Sequence, residues 1–248
     1  MRAQGHPQGC FLTEILMDEL ADRVKMDPVE FRIKNAPPLA PNAQWIKYFT
    51  EGARRFGWDK RHATGDPTPG PIKTGMGVSA HLWGGAGRGS TAHVDINSDG
   101  SVVVKCGTQD LGTGTRTLVA IVAAETFGLP VSGVKPEIGD TNYPFSGGSG
   151  GSTTAASVTP AIRVTSINAL DALFAKVAPT LGVTPDQLVA EGGRVFVKGN
   201  SAKGLSWKDA CKLIGTEPIS VDGKWEDGLS SSGTSGVQFS EVEVDIET

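Results

Sequence analysis

The chain has 248 residues, 38% hydrophobic and 20% charged, and its 33 glycines and 15 prolines together stay below the roughly 25–30% that marks low complexity. Such a chain folds, burying one sizeable core or two modest ones, and we expect one domain with two lobes. With 23 basic against 27 acidic residues and a formal net charge of −4, its surface is not built to neutralise many phosphates, which argues against nucleic acid as a partner.

From Phe11 the apolar residues Leu12, Ile15, Leu16, Leu20 and Val24 recur at helical spacing, which predicts a helix whose stripe faces a core while Asp18, Asp22 and Arg23 are solvated. Asp27-Pro28-Val29-Glu30 reads as an N-terminal cap for a second, short helix reaching about Asn35, where Pro37 and Pro38 stop it. Trp45, Tyr48, Phe49 and Phe56 suggest a third helix closed near Gly57, and residues 59–73 form a polar, proline-rich linker.

The period then changes. Ala92, Val94 and Ile96 alternate with polar neighbours, Asn97-Ser98-Asp99-Gly100 supplies turn chemistry, and Val102, Val104 and Cys106 alternate again, which predicts a β-hairpin. Leu118, Val119, Ile121, Val122 and Phe127 mark a mostly buried helix closed at Gly128, and a strand follows over 134–138. Ile162, Val164, Ile167, Leu170 and Phe174 predict a helix over 161–177, started or kinked at Pro160. Glu191-Gly192-Gly193 turns between two short strands, and Ser206 with Asp209 caps a small helix. In the last strand Val237 and Phe239 share one face while Val242, Val244 and Ile246 shift by one, the pattern of a β-bulge. The chain ends at Thr248, directly after this strand, which we expect to lack its onward partner. No period of 20–50 residues indicates repeats. The class expected is α+β, with mixed sheets and packed helices.

Cys10, Cys106 and Cys211 lie about a hundred residues apart with no CxxC pair, so neither a disulfide framework nor an iron–sulfur cluster is encoded. No apolar run approaches the roughly 18 residues of a membrane span, and Arg2, His6 and Glu14 sit where a signal peptide needs an apolar core. The expected location is cytoplasmic, or periplasmic only through export by a partner, with no membrane association.

Two glycine-rich loops carry the chemical signal. Gly107-Thr108-Gln109-Asp110-Leu111-Gly112-Thr113-Gly114-Thr115 leaves a strand and opens a helix, so free amides and hydroxyls converge as phosphate or another anion requires; a glycine pair in such a turn also serves packing alone. Walker A and Rossmann spacings are not met. The second loop, Pro144 to Thr154, packs glycines and hydroxyls between a buried strand and a buried helix, where so polar a backbone must be paired or lie against a ligand. A third candidate is Met1 to Gln8, polar and directly ahead of the first helix. His62, His81 and His93 are far apart and lack paired carboxylates. Asp110 and Asp140 are suited equally to pairing loop amides and to moving protons, and no GxSxG elbow supports a Ser–His–Asp triad.

Together these segments resemble the molybdopterin-binding large subunit of the xanthine dehydrogenase and aldehyde oxidase enzymes, the molybdenum hydroxylases. Arg2-Ala3-Gln4-Gly5-His6-Pro7-Gln8 is similar to the family's Arg-Gly/Ala-x-Gly-x-Pro-Gln segment, and Asp18-Glu19-Leu20-Ala21, Asp27-Pro28 and Arg32-x-x-Asn35 match the stretch that follows. Thr108 to Gly114 resembles the family's first pterin loop, and Gly139-Asp140-Thr141 with Gly151-Ser152-Thr153-Thr154 resembles the second. The Gln-Asp-Leu-Gly-Thr-Gly form is closest to bacterial aldehyde oxidoreductases that use molybdopterin cytosine dinucleotide.

The resemblance implies a molybdenum cofactor that oxidises aldehydes or N-heterocycles with water as oxygen source, the protein holding and tuning it. It implies cofactor contacts from Arg2, Gln8, Gly112, Thr113, Gly114, Gly151, Ser152, Thr153 and Thr154, and no metal ligand from the chain. Implied partners are the remaining parts of the large subunit, iron–sulfur and FAD subunits or domains, and a small-molecule substrate. The implied organisation is an N-terminal helical segment over 1–58, a linker over 59–73, and a molybdopterin-binding lobe over 74–248 truncated at its C-terminus. Thr113 stands where many xanthine-type enzymes have Gln, and Gln4 stands where they place a Phe that sandwiches a flat heterocycle, which weighs against purines. The family's Gly-Gly-x-Phe-Gly segment belongs ahead of Arg2, and its Gly-x-Gly-Glu segment, whose glutamate is the base, belongs beyond Thr248; neither has a counterpart within residues 1–248. The expectation is therefore a fragment with no catalytic residue of its own and no turnover in isolation. A non-catalytic module for a phosphate-bearing ligand and an inactive remnant are the alternatives.

Overall fold

The computed structural model describes residues 5–36, 42–230 and 233–248. In chain order the elements are α1 (His6–Arg23), α2 (Pro28–Lys34), α3 (Asn42–Phe56), β1 (Ile72–Trp83), β2 (Thr91–Ile96), β3 (Val102–Cys106), α4 (Thr115–Phe127), β4 (Val134–Ile138), α5 (Thr154–Leu181), β5 (Leu188–Glu191), β6 (Arg194–Val197), β7 (Asn200–Ser206), α6 (Trp207–Cys211), β8 (Ile219–Lys224) and β9 (Thr234–Asp245). The class is α+β, as expected. The chain divides into two compact units, residues 1–84 with 233–248, and residues 85–232.

In the first unit, Asp27 does two jobs. Its Oδ1 accepts from the amides of Val29 and Glu30 and so caps α2, while Oδ2 accepts from Trp58 Nε1. Arg32, only 3% exposed, ties α2 to α1: Nε donates to Glu14 Oε2 at 2.8 Å and an Nη to Asp18 Oδ1 at 2.7 Å, with further bonds to the carbonyls of Glu14 and Pro28. This clamp turns the face bearing Glu14, Asp18 and Ala21 inward. The apolar stripe expected to meet a core is therefore exposed, with Phe11 and Leu12 65% and 68% accessible and Ala21 the buried residue of α1.

Trp45 and Phe49 of α3 pack with Val29, Trp58 and Val78. Phe239 of β9 joins them by closing on Gly52, where a Cβ would lie 2.5 Å from its ring. Strands β1 and β9 pair antiparallel in unbroken register, from Ile72 opposite Asp245 to Trp83 opposite Thr234. No bulge interrupts them. Strand β9 thus has a neighbour within its own unit, β1, and hydrogen bonds from the Glu247 amide and from the Thr248 hydroxyl and amide lower the Asp245 pKa at its end. Val237 and Phe239 face the helices, whereas Val242 and Val244 lie on the other face and are exposed; the one-residue shift records apolar residues on both faces. Residues 59–73 run within this unit, anchored by Asp66, which accepts from the amides of Thr68 and Thr74.

The second unit is a sheet of order β4-β3-β2-β8, with β3 and β4 parallel and the other pairs antiparallel, plus the small sheet β5-β6-β7. Val94, Ile96, Val102, Val104 and Cys106 form one face and share a core with Val119, Phe127, Ile162, Leu173 and Val177 of α4 and α5. Helix α5 is longer than expected and starts at Thr154, so Pro160 lies inside it. Proline lacks the amide that would bond the carbonyl four residues back. That carbonyl, Ala156 O, accepts instead from Trp225 Nε1 at 3.0 Å and Ser230 Oγ at 3.1 Å. Further along, β8 presses on α5 at Gly223, where a Cβ would sit 2.3 Å from Thr165 Oγ1.

Candidate functional site

Strand pairing gathers the glycine-rich segments at one end of the four-stranded sheet. Cys106 lies opposite Ile138 and Thr91 opposite Lys224, so the loop entering β2 (84–90) and those leaving β3 (107–114), β4 (139–153) and β8 (225–230) share that end. Helices α4 and α5 also begin there. The loops are stitched together: Gly107 N donates to Pro144 O, Ser149 N and Oγ donate to Gln109 Oε1 and O, and Thr91 N donates to Phe145 O. Gly147 N donates to Ser90 Oγ, Arg88 N to Ser157 Oγ on the first turn of α5, and Trp225 N to Ser90 O. Both glycine loops singled out in the sequence thus meet, and a third, Gly84 to Ser90, which drew no notice there, packs beneath them.

The glycines fall into two classes. At Gly85, Gly87, Gly107 and Gly147 a Cβ would lie 2.5–3.0 Å from a neighbour (Ser152 O, Ala156 O, Pro144 O and Arg88 Cβ in turn), so these allow close packing. At Gly112, Gly114, Gly148 and Gly150 a Cβ would meet nothing within 4 Å. This second set is a rim of uncovered backbone over the stitched layer.

Asp110 corrects the expectation of free amides at the start of α4. Its Oδ1 accepts from the amides of Gly112, Thr113 and Gly114 at 3.0–3.1 Å, and Oδ2 from that of Arg116 at 3.1 Å. The hydrogen bond from Arg116, and those from Gly114, Gly112 and Thr113 after it, outweigh burial and hold the carboxyl below its usual range. The chain's own carboxylate thus occupies the anion position of α4. Asp140 likewise closes a local turn, accepting from Asn142 N and Nδ2. Helix α5 differs: its N-cap residue Thr153 gives no side-chain cap, its hydroxyl donating back to Gly150 O at 2.7 Å. Ser152, just ahead, adopts φ 63°, unusual for a residue with a Cβ. Beneath the loops the Thr108 hydroxyl is fully buried and has no hydrogen-bond partner. Burial raises the neighbouring Cys106 thiol pKa, against the Thr108 amide and Ser146 hydroxyl, so it stays protonated.

Of the residues expected to hold a cofactor, Gly112, Thr113, Gly114, Gly151, Ser152, Thr153 and Thr154 share this end of the sheet. Gln8 is exposed on α1 in the first unit, and Arg2 lies outside the described residues. Thr248, past which the resemblance puts the family's glutamate, belongs to the first unit and not to the unit that holds these loops.

On the sheet's other face His93 does have carboxylate neighbours, contrary to expectation: Nδ1 lies 2.8 Å from Asp222 Oδ1 and Nε2 2.9 Å from Asp95 Oδ1. Ser220 Oγ is 3.2 Å from His93 Nε2 but donates to Asp95 at 2.6 Å, and Lys105 Nζ also reaches Asp95. With its hydroxyl proton committed to a carboxylate, Ser220 is not an activated nucleophile, and the group is a cross-strand ladder. Among the described residues no cluster of His, Cys, Asp or Glu could hold a metal ion, and no helix is long and apolar enough to cross a membrane.

Residues 51–248 match a molybdopterin cofactor-binding domain family, and residues 1–36 match a second family of the same description. The chain belongs to the molybdopterin cofactor-binding domains of the molybdenum hydroxylases. It is 34% identical over 204 residues to the aldehyde oxidoreductase molybdenum-binding subunit PaoC of Escherichia coli (strain K12), covering 79% of this chain and 27% of PaoC. The aldehyde oxidoreductase of Megalodesulfovibrio gigas is 30% identical over 269 residues, covering 100% of this chain and 28% of that protein. Quinoline 2-oxidoreductase from Pseudomonas putida 86 shares the fold with a TM-score of 0.77 at 20% identity, over 97% of this chain and 35% of that one. This chain therefore spans about a quarter to a third of the length of these three proteins.

Proposed function

We propose that this molybdopterin-binding chain forms part of a molybdenum hydroxylase that uses the cytosine dinucleotide form of the cofactor to oxidise aldehydes or N-heterocycles. When bound, the molybdenum cofactor supplies two-electron oxidation with water as the oxygen source. The observation that carries the proposal is the rim: uncovered glycine backbone at 112, 114, 148 and 150 beside the N-terminus of α5, which has no side-chain cap. Such a surface admits a flat, anionic group against the main chain. The buried, unpartnered Thr108 hydroxyl beneath the same loops also fits a ligand-binding role.

In this reading Gly112, Thr113 and Gly114 approach the pterin by shape, because Asp110 already takes their amides. Gly151, Ser152 and Thr154 serve the phosphate side. Thr153 acts through the loop, its hydroxyl holding the carbonyls of Gly148 and Gly150. The resemblance adds Arg2 and Gln8 as further cofactor contacts. The similarity of Gln109 to Gly114 to bacterial aldehyde oxidoreductases supports the cytosine form. Iron–sulfur and FAD subunits or domains are the expected electron acceptors, and the rest of a large subunit the expected structural partner.

The test is to purify the protein containing this chain from a host that makes molybdenum cofactor, then to measure molybdenum, pterin and cytidine monophosphate released by acid. Equimolar amounts of all three are expected. Pterin without cytidine monophosphate would refute the dinucleotide form, and folded protein without pterin would refute cofactor binding.

A further inference from the structure

The segment Gly84 to Ser90 carries an arginine that none of the preceding assignments uses. Arg88 is held at both ends of its main chain: its amide donates to Ser157 Oγ at 2.9 Å, and its carbonyl accepts from Ser90 Oγ. Ser157 in turn donates to Thr153 O, the residue that opens α5, so the Arg88 backbone is fixed to the first turn of that helix. The side-chain stem runs over Gly147, whose Cβ position would be 3.0 Å from Arg88 Cβ and 3.8 Å from Cδ. A side chain at 147 would displace that stem. The guanidinium beyond it is exposed and makes no ion pair or hydrogen bond among the described residues, unlike Arg32, Arg54 and Arg55, which are paired with carboxylates.

We infer that Arg88 binds the phosphate end of the cofactor, adding a forked cation to the N-terminus of α5. Three facts favour this over an idle surface arginine. Its backbone is fixed by two hydrogen bonds to side chains and its stem passes close over Gly147, so only the outer part of the side chain remains to be ordered on binding. Its main chain is bonded to the first turn of the helix whose start lacks a side-chain cap. And α4, the other helix start at this end, is already neutralised by Asp110, so a phosphate is directed to α5. A guanidinium matches a phosphate with two parallel hydrogen bonds, which an ammonium cannot do.

The inference rests on the proposed cofactor site, and its test separates the two. Wild-type, Arg88→Ala, Arg88→Gln and Arg88→Lys proteins are purified from a host that makes the cofactor, and pterin per folded protein is measured before and after dialysis in 0.5 M salt, a level suggested by the short range of charge interactions at about that ionic strength. Arg88→Gln keeps the stem over Gly147 and removes only the charge, and melting curves verify the fold of each variant. At least a tenfold loss of retained pterin is expected in the Ala and Gln variants, with Lys intermediate. Wild-type and Arg88→Gln proteins that retain pterin equally would overturn the inference and leave the cofactor site standing. Wild-type protein without pterin would overturn both.

Discussion

Replacing Gly150 by valine tests whether the uncovered rim is the cofactor surface. A Cβ at this position meets nothing within 4 Å, and the φ angle is not in the left-handed region, so a side chain can be attached here without a Cβ clash. Both hydrogen bonds at Gly150 use its carbonyl, from Thr153 N and Oγ1, and survive the change. Stability should then move by no more than about 0.5 kcal/mol, the ordinary range for a surface substitution. The new methyl groups fill the layer, roughly 3.5–4.0 Å above the main chain, where a ligand atom in van der Waals contact would lie. Excluding it should cost at least about 1.4 kcal/mol of binding, a tenfold loss. Gly85→Ala is the opposite case: its Cβ would lie 2.8 Å from Ser152 O. Overpacking of this kind costs about 1–3 kcal/mol, which lowers the melting temperature by about 2–12 °C in a chain of this size. Pterin content and thermal melting, measured on both variants, form the assay. Unchanged pterin in a stable Gly150→Val protein would refute the assignment of this rim.

Three other outcomes follow from the packing and charge. Gly223→Ala forces a methyl to 2.3 Å from Thr165 Oγ1 and 2.9 Å from its Cα in the middle of α5, so a loss of about 2–3 kcal/mol is expected in denaturant unfolding; a neutral effect would show that β8 and α5 are not in contact at this point. Arg32→Met leaves Glu14, 15% exposed, without its cation, and should cost about 3 kcal/mol, most of it regained when Glu14 and Asp18 are made neutral together. Burial opposes the charged form of His93, but hydrogen bonds to Asp222 and Asp95 outweigh it and raise the pKa. Its contribution to stability is complete below the ordinary histidine pKa near 6.5 and is lost as pH rises through the raised folded value. Melting temperature measured against pH should therefore fall across that window, and His93→Gln should remove the slope.

Much of the architecture is legible locally. The cap at Asp27, the hairpin turn at Asn97 to Gly100 and the glycine closing α4 are set by residues a few positions apart, and the structure has them where the spacing puts them. Errors arise where a distant partner decides the outcome. The stripe of α1 has the period of a buried face, but Arg32 pulls the Glu14 side inward, and no pattern within α1 announces that choice. The shift at Val242 looks like a bulge because alternation on one strand cannot tell a slipped register from apolar residues on both faces; only the pairing with β1 does. Pro160 has the form of a helix boundary, yet Trp225 and Ser230, about seventy residues on, satisfy the carbonyl that it strands.

The site follows the same rule at higher resolution. The parallel pairing of β3 with β4 places both glycine turns at one sheet end, and the order of strand, glycine turn and helix at each was legible. Which helix start remains receptive was not. Asp110 stands among the glycines of its own loop, where composition suits an acceptor of amides and a neighbour of a ligand equally well; the fold commits it to four amides, so the first loop offers shape. The second loop has no such carboxylate, and its one capping candidate, Thr153, spends its hydroxyl on Gly150 and Gly148. Under the proposed function the two loops would divide the work, the neutralised, uncovered backbone of one taking a flat ring and the uncapped helix start of the other taking negative charge. If the proposed function and the Arg88 inference both hold, a ligand with a flat head and a phosphate tail would lie with its tail toward α5 and Arg88.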